Sequence, residues 1–252
     1  MKILAVDLDR TVIYSNKFLE MHPTESNIIR VEKTTSNESF ISVSVIEAIQ
    51  RAKDLGICIV PITSRSIEEY KRISIPGVSF EYAVTSAGGV ILHNGEIDQE
   101  WASHIDCWIN PDAMENLISS LNSMDGATFK SKVVNGIYVF TKVEDINKAK
   151  CELPRIRETH PSFNIQMDKH KIYATSHKIT KGEALLWLGQ KLNADSIYAF
   201  GDSMMDISMI LAGDKGFTPT HNTIDKDILD NNNIVIVDGG TDSLIEVIRQ
   251  IS

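Results

Sequence analysis

Short apolar segments without polar–apolar alternation are the feature that most constrains the fold of this chain. Residues 3–6, 57–62 and 196–200 form such runs. Strands that are buried on both faces of a parallel sheet have this pattern, because helices cover both faces. Helical spacing of apolar residues follows the runs, so the sequence predicts an α/β class with a doubly wound, Rossmann-like parallel sheet.

Helix signals separate the first strands. Apolar residues recur at helical spacing after Ser44, which can form a capping box with Glu47. Ser66 and Glu69 offer a second capping box after the strand at 57–62. These elements give a βαβα order. A third strand at 82–85 then ends in the turn-prone residues 86–89.

The middle of the chain has a different, antiparallel character. Asn94-Gly95 and Asn135-Gly136 each separate extended segments in the manner of hairpin turns. Helical patterns at 111–121 and 147–157 accompany them, and strands and helices of the α/β type return after residue 178. We therefore predict a core domain from residues 1–88 and 178–252, and an inserted α+β domain at residues 89–177. The predicted elements after the insertion are a helix at 180–192, a strand at 196–200, a helix at 204–211, a strand at 234–237 and a helix at 243–251.

Composition excludes several classes of partner. The formal net charge is −9, and nucleic-acid binding needs clustered Lys and Arg on one face. The three cysteines are scattered and form no C-x-x-C pair, which is typical of reduced thiols. No apolar run approaches the ~20 residues that span a bilayer. We expect a cytoplasmic monomer or small homo-oligomer that binds a small molecule, not nucleic acid or membrane.

Polar residues that could do chemistry follow the predicted strands or begin the helices next to them. In an open parallel sheet, ligands bind at the carboxyl edge of the strands. The segments that reach this edge are Asp7-Leu8-Asp9-Arg10-Thr11, Thr63-Ser64-Arg65, Lys181, and Gly201-Asp202-Ser203-Met204-Met205-Asp206.

These residue types suit phosphoryl transfer. Asp7 and Asp9 can point to the same side of the strand end and share a hard cation such as Mg²⁺, with Asp202 completing the ligand set. One oxygen of Asp7 then remains to attack phosphorus, and Asp9 can serve as general acid and base. Thr63 and Lys181 suit the phosphoryl oxygens, because a hydroxyl and an ammonium both stabilise their charge.

Together, the four segments resemble the motifs of the haloacid dehalogenase superfamily of phosphatases, which run D-x-D-x-T, S/T, K and G-D-x-x-x-D. The place of the insertion resembles the C2-type cap of the branch that includes Cof-like proteins and sucrose-phosphate phosphatases. The resemblance implies that Asp7 is the nucleophile, Asp9 the acid/base with its backbone carbonyl on the metal, and Asp202 a metal ligand. Asp206 is expected as a further acidic group at the metal. We expect Thr11, Ser64, Arg65 and Gly88 to bind substrate.

The function that this resemblance implies is Mg²⁺-dependent hydrolysis of a small phosphate monoester, for example a sugar phosphate. A phosphomutase or phosphotransferase with the same aspartyl-phosphate intermediate is an alternative. A receiver-like signalling module is a weaker alternative, since receivers carry their phosphorylated Asp on a third strand and are about half this length.

The chain also departs from the family pattern. Arg10 stands where many relatives have Gly, and it can reach substrate or, as we favour, point outward. Ala87 and Met205 stand where related proteins often have Asn or Asp. The stretch from 12 to 43 is longer than is usual, and it can form a hairpin of 28–33 with 39–43 that covers the site, or a surface loop without a role.

Overall fold

The computed structural model describes residues 1–35, 38–125, 127 and 129–252. The predicted α/β class is confirmed. Its strands are β1 (Lys2–Val6), β2 (Tyr14–Ser15), β3 (Ile28–Lys33), β4 (Glu38–Ser42), β5 (Ile57–Pro61), β6 (Tyr82–Thr85), β7 (Val90–His93), β8 (Glu96–Ile97), β9 (Lys132–Val134), β10 (Tyr138–Lys142), β11 (Phe163–Asp168), β12 (Lys171–Ser176), β13 (Ser196–Phe200), β14 (Lys215–Pro219) and β15 (Val235–Val237). Its helices are α1 (Asn16–Met21), α2 (Val43–Asp54), α3 (Ile67–Tyr70), α4 (Gln99–Ile105), α5 (Pro111–Asn122), α6 (Ile146–Thr159), α7 (Lys181–Lys191), α8 (Ile207–Ala212), α9 (Lys226–Asn231) and α10 (Ser243–Ile251).

A parallel sheet of five strands forms the centre of the first compact unit. Its strand order is β15-β14-β13-β1-β5. Strand β1 therefore lies between β5, from the N-terminal part of the chain, and β13, from the C-terminal part. Leu4 and Phe200 are fully buried in its core, as parallel strands with helices on both faces require. This order brings the residues that follow β1, β5 and β13 to one edge of the sheet.

Two small antiparallel sheets belong to the same unit. One has the order β2-β4-β3, which confirms the hairpin predicted within the long stretch from 12 to 43. The other has the order β6-β7-β8, with Asn94 and Gly95 in the tight turn at φ values of 50° and 83°. Strand β6 is tied to the end of β5 by a single bridge between Ile62 and Val84.

The second compact unit spans Asp98–Thr180, and the first comprises Met1–Ile97 with Lys181–Ser252. An antiparallel sheet of order β11-β12-β10-β9 packs its Val139 and Ile172 against helices α5 and α6. The first division falls after β8, later than the predicted residue 88, because β7 and β8 pair with β6 and stay in the first unit. That the second unit acts as a cap stays a prediction.

Some local predictions are wrong. Helix α2 begins at Val43 with Ser42 as N-cap, so the capping box of Ser44 and Glu47 does not form. By contrast, both bonds of the predicted box between Ser66 and Glu69 are present. Strand β14 and helix α9 were not predicted, since β14 contains Gly and Pro and α9 is short and polar.

Within the described residues, no helix has the length and apolar character needed to cross a membrane.

Gly182 in α7 provides a test of how closely two helices must approach. A Cβ at this position would lie 2.2 Å from the carbonyl oxygen of Ser208 in α8. We therefore expect Gly182→Ala to lower the free energy of unfolding by about 1–3 kcal/mol, since overpacking forces backbone shifts. Denaturant unfolding measures this change, and Gln190→Ala on the exposed side of α7 is the control. Equal stability of the two variants would contradict the packing described.

Candidate active site

A buried lysine contacts carboxylates from the N-terminal and the C-terminal parts of the core. Lys181 is the first residue of α7, and its Nζ donates hydrogen bonds of 2.6 Å to Oδ1 of Asp7 and 2.6 Å to Oδ1 of Asp206. Burial lowers the pKa of Lys181, but the two carboxylates outweigh this effect and raise the pKa above its usual range. A cation at a helix N-terminus is otherwise unfavourable because of the helix dipole, and these two anions compensate for it.

The loop after β13 is closed by the side chain of Asp206. Its Oδ2 accepts hydrogen bonds from the backbone N–H groups of Asp202 at 3.1 Å and Ser203 at 2.9 Å, and from Ser203 Oγ at 2.8 Å. A Cβ at Gly201 would lie 2.4 Å from Cβ of Asp206, so only glycine leaves room for this closure. Both carboxylate oxygens of Asp206 are thus engaged, which favours a supporting role over direct ligation of a cation.

Three buried carboxylates meet at the end of β1. Oxygen atoms of Asp7, Asp202 and Asp206 lie within 4.8 Å of one another. Burial, and then the charge of Asp206, raises the pKa of Asp7 to about 7. Burial, and then Asp206 and Asp7, raises the pKa of Asp202 to about 8. Oδ2 of Asp202 is buried without a hydrogen-bond partner among the described residues, so this oxygen-rich cluster fits a small hard cation such as Mg²⁺.

Arg10 lies beside this cluster, so the expectation that its side chain points outward is wrong. Its Nε is 3.1 Å from Oδ2 of Asp202, although the pair lacks hydrogen-bond geometry. The backbone of Arg10 is left-handed at φ 67°, and its carbonyl oxygen is 2.7 Å from Nε2 of His221. The excess of negative charge in the cluster explains why a cationic side chain turns inward.

The carboxylate of Asp9 lies apart from the acidic cluster, which corrects the expectation that the side chains of Asp7 and Asp9 share a cation. Arg65 donates to it twice, from Nε to Oδ2 at 2.8 Å and from Nη2 to Oδ1 at 2.7 Å. The same guanidinium donates from Nη1 to Oε2 of Glu32 at 2.8 Å. Arg65 therefore holds an acidic side chain of the site, and its predicted contact with substrate stays a prediction.

The remaining predicted residues lie on neighbouring loops. Oγ1 of buried Thr63 accepts a hydrogen bond of 3.2 Å from the backbone N–H of Arg65, and its carbonyl accepts one of 3.1 Å from Ala87. Gly88 follows in a turn where residues 86–88 all have positive φ. Ser64 is half-buried, whereas Thr11 is fully buried with an Oγ1 that has no partner in the described part of the chain. Contacts of these residues with substrate stay predictions.

The sequence matches the family described as haloacid dehalogenase-like hydrolase over residues 109–218. This range contains Lys181, Asp202 and Asp206, whereas Asp7 lies outside it. The match spans less than half of the chain, and this part of the chain resembles the family. The match agrees with the predicted resemblance and with the predicted class of hydrolase.

Several solved structures share the fold of this chain. The sucrose-phosphatase of Synechocystis sp. PCC6803, in complex with sucrose and phosphate, aligns with 13% identity over 99% of this chain and 97% of its own, with a TM-score of 0.68. A haloacid dehalogenase-like hydrolase from B. subtilis aligns with 17% identity over 100% of both chains, with a TM-score of 0.64. The HAD subclass IIB sugar phosphatase BT4131 aligns with 14% identity over 100% and 99%, with a TM-score of 0.68. Among curated proteins, none matches significantly.

Sequence reasoning missed Glu32, Ser203 and His221 as contributors to this site. Glu32 is buried because β3 has an irregularity between Arg30 and Glu32, which turns both Val31 and Glu32 inward. Strict strand alternation would place only one of two consecutive residues inside. Ser203 could have been found from its spacing to Asp206, which forms a capping box at the turn after β13.

The raised pKa values of Asp7 and Asp202 predict how stability changes with pH. The folded protein holds protons that the unfolded chain releases above about pH 4. Without a divalent cation, stability should therefore fall as pH rises from about 4 towards the folded pKa values of about 7 and about 8. Mg²⁺ should raise the melting temperature more at high pH than at low pH, because its ligands must be deprotonated.

Melting curves across this range, with chelator and with Mg²⁺, measure both effects. Asp202→Asn should flatten the pH dependence, since it removes one of the mutually repelling buried acids. The matched control is Asp54→Asn, which changes an exposed carboxylate at the end of α2. Metal-free stability that rises steadily over this range would contradict the electrostatics described.

Proposed function

We propose that this protein is a Mg²⁺-dependent phosphatase that hydrolyses a small phosphate monoester through an aspartyl-phosphate on Asp7. The observation that carries the proposal is the buried contact of Asp7 with Lys181, next to the carboxylates of Asp202 and Asp206 at the end of β1. A carboxylate in such a place is a nucleophile with a fixed direction, and the adjacent ammonium stabilises the charge of the transferring group.

The first chemical step forms a P–O bond between one oxygen of Asp7 and phosphorus while the ester P–O bond breaks. Asp9 gives a proton to the departing oxygen, and Thr63 with Lys181 holds the phosphoryl oxygens. In the second step Asp9 accepts a proton from water, the water oxygen bonds to phosphorus, and the bond to Asp7 breaks. Free phosphate is released and Asp7 is regenerated.

Asp7 and Asp202, with Asp206 as close support and the backbone carbonyl of Asp9, would hold the Mg²⁺. When bound, the ion neutralises the phosphate and the clustered carboxylates. Oδ2 of buried Asp202 has no hydrogen-bond partner among the described residues, and the pKa values of Asp7 and Asp202 are raised. Both observations support this assignment, because they indicate an excess of negative charge in the cluster.

For the substrate class, we propose a sugar phosphate or a similar phosphorylated metabolite. One structural neighbour was solved with sucrose and phosphate, and another is described as a sugar phosphatase. The net charge of −9 disfavours a nucleic-acid substrate. We further propose that the protein acts in the cytoplasm as a monomer or small homo-oligomer, away from membranes.

Removal of the nucleophile provides the first test of function. Asp7→Asn should lower the rate of phosphate-ester hydrolysis by a factor of ~10³ or more, since the amide cannot form the acyl phosphate. Phosphate release from p-nitrophenyl phosphate and from a panel of metabolite phosphates, each with Mg²⁺ or chelator, measures the loss. Asp54→Asn serves as the control with normal activity. A wild type that is inert on the whole panel, like Asp7→Asn, would refute the proposal.

Isotopic labelling of the solvent distinguishes a phosphatase from a mutase or phosphotransferase. With the best substrate in ¹⁸O-water, released phosphate should carry one solvent oxygen, because water attacks phosphorus in the second step. Mass spectrometry of the products measures this incorporation. Transfer of the phosphoryl group to a sugar hydroxyl, without labelled free phosphate, would favour the alternative.

A further inference from the structure

A buried carboxylate on the β3–β4 hairpin takes no part in the chemistry above. Glu32 is 5% exposed, which is costly for a charge unless donors surround it. Its Oε2 accepts hydrogen bonds from Arg65 Nη1 at 2.8 Å and Ser39 Oγ at 3.0 Å, and its Oε1 accepts one from Arg72 Nε at 3.2 Å. Burial raises the pKa of Glu32, but these donors outweigh it and lower the pKa, so the group is charged.

Arg65 links Glu32 to the edge of the sheet. Its side chain is 11% exposed, and three of its nitrogens are used: Nη1 on Glu32, and Nε and Nη2 on the two oxygens of Asp9. A planar guanidinium that binds a carboxylate through two parallel bonds fixes both the position and the plane of that carboxylate. The orientation of Asp9, whose own side chain is half exposed, therefore depends on where Arg65 is held.

We infer that Glu32 is a positioning residue, which holds Arg65 so that Arg65 orients the carboxylate of Asp9. The inference rests on the proposed function of Asp9 as proton donor and acceptor. It also assigns a role to the long stretch from 12 to 43, which the sequence left open between a covering flap and a surface loop. In this role the hairpin β3–β4 supports Asp9 through Arg65. The irregularity in β3 that turns Glu32 inward allows Glu32 to bind Arg65.

A positioning role predicts a defect that depends on the leaving group. An alkoxide leaving group needs a proton from Asp9 in the first step, whereas p-nitrophenolate leaves without one. Glu32→Gln should thus lower kcat/KM for an alkyl phosphate ~10- to 100-fold, less than the loss in Asp9→Asn. The same variant should change kcat/KM for p-nitrophenyl phosphate by less than about threefold.

Two further variants separate this role from a general effect on folding. Arg65→Lys keeps the charge but loses the two parallel bonds, so it should show the same selective loss for the alkyl ester. Glu38→Gln is the matched control, because Glu38 lies on the same hairpin and pairs with the half-exposed Arg30 at 2.9 Å. Glu38→Gln should leave kcat/KM unchanged for both the alkyl phosphate and p-nitrophenyl phosphate. An equal loss for both esters in Glu32→Gln, or no loss, would overturn the inference while leaving the phosphatase intact.

An unfolding experiment tests the link without relying on activity. Glu32 and Asp9 share one guanidinium, so the shifts in melting temperature of Glu32→Gln and Asp9→Asn should not add in the double variant. The shifts of Glu38→Gln and Asp9→Asn should add. Additive shifts in both pairs would overturn the inference whatever the kinetics. A wild type without phosphatase activity but with coupled shifts would instead refute the proposed function and keep the Glu32–Arg65–Asp9 link.

Discussion

The contact of Lys181 with Asp7 and Asp206 is the interaction on which the rest of the site depends. It joins the end of the first strand to a loop almost two hundred residues later in the chain, and it does so in a place closed to solvent. Buried charges are costly, so each of these groups is tolerated only because the others are present. Loss of Lys181 would leave both buried carboxylates without this cation, and loss of either carboxylate would leave Lys181 with a single anionic partner.

The fold supplies this arrangement through two kinds of constraint. The strand order places β1 between β13 and β5, which brings Asp7 next to the loop of Asp202. The second constraint is close backbone approach at two glycines. Gly182 lets α7 pack on α8, and Gly201 lets the side chain of Asp206 fold back over its loop. The hairpin β3–β4 also supports the site, since its Glu32 binds Arg65, which in turn binds Asp9.

Most of this site could be predicted from the sequence because strand ends are local features. Asp7, Lys181 and Asp206 follow apolar runs or begin helices at positions that simple rules identify, and the structure brings them together. The environment of Asp9 could not be predicted, because its partner Arg65 is itself placed by Glu32 on a distant hairpin. Strand alternation gives no sign that Glu32 is buried, and the inward turn of Arg10 follows from summed charge in three dimensions.

Chemical trapping of the intermediate tests the central claim most directly. Borohydride reduces an aspartyl-phosphate to homoserine, and peptide mass spectrometry then identifies the modified residue. We expect homoserine at position 7, formed only when substrate and Mg²⁺ are both present during quenching. Homoserine at another aspartate, or an unmodified Asp7 in every quenched sample from an enzyme that releases phosphate, would contradict it.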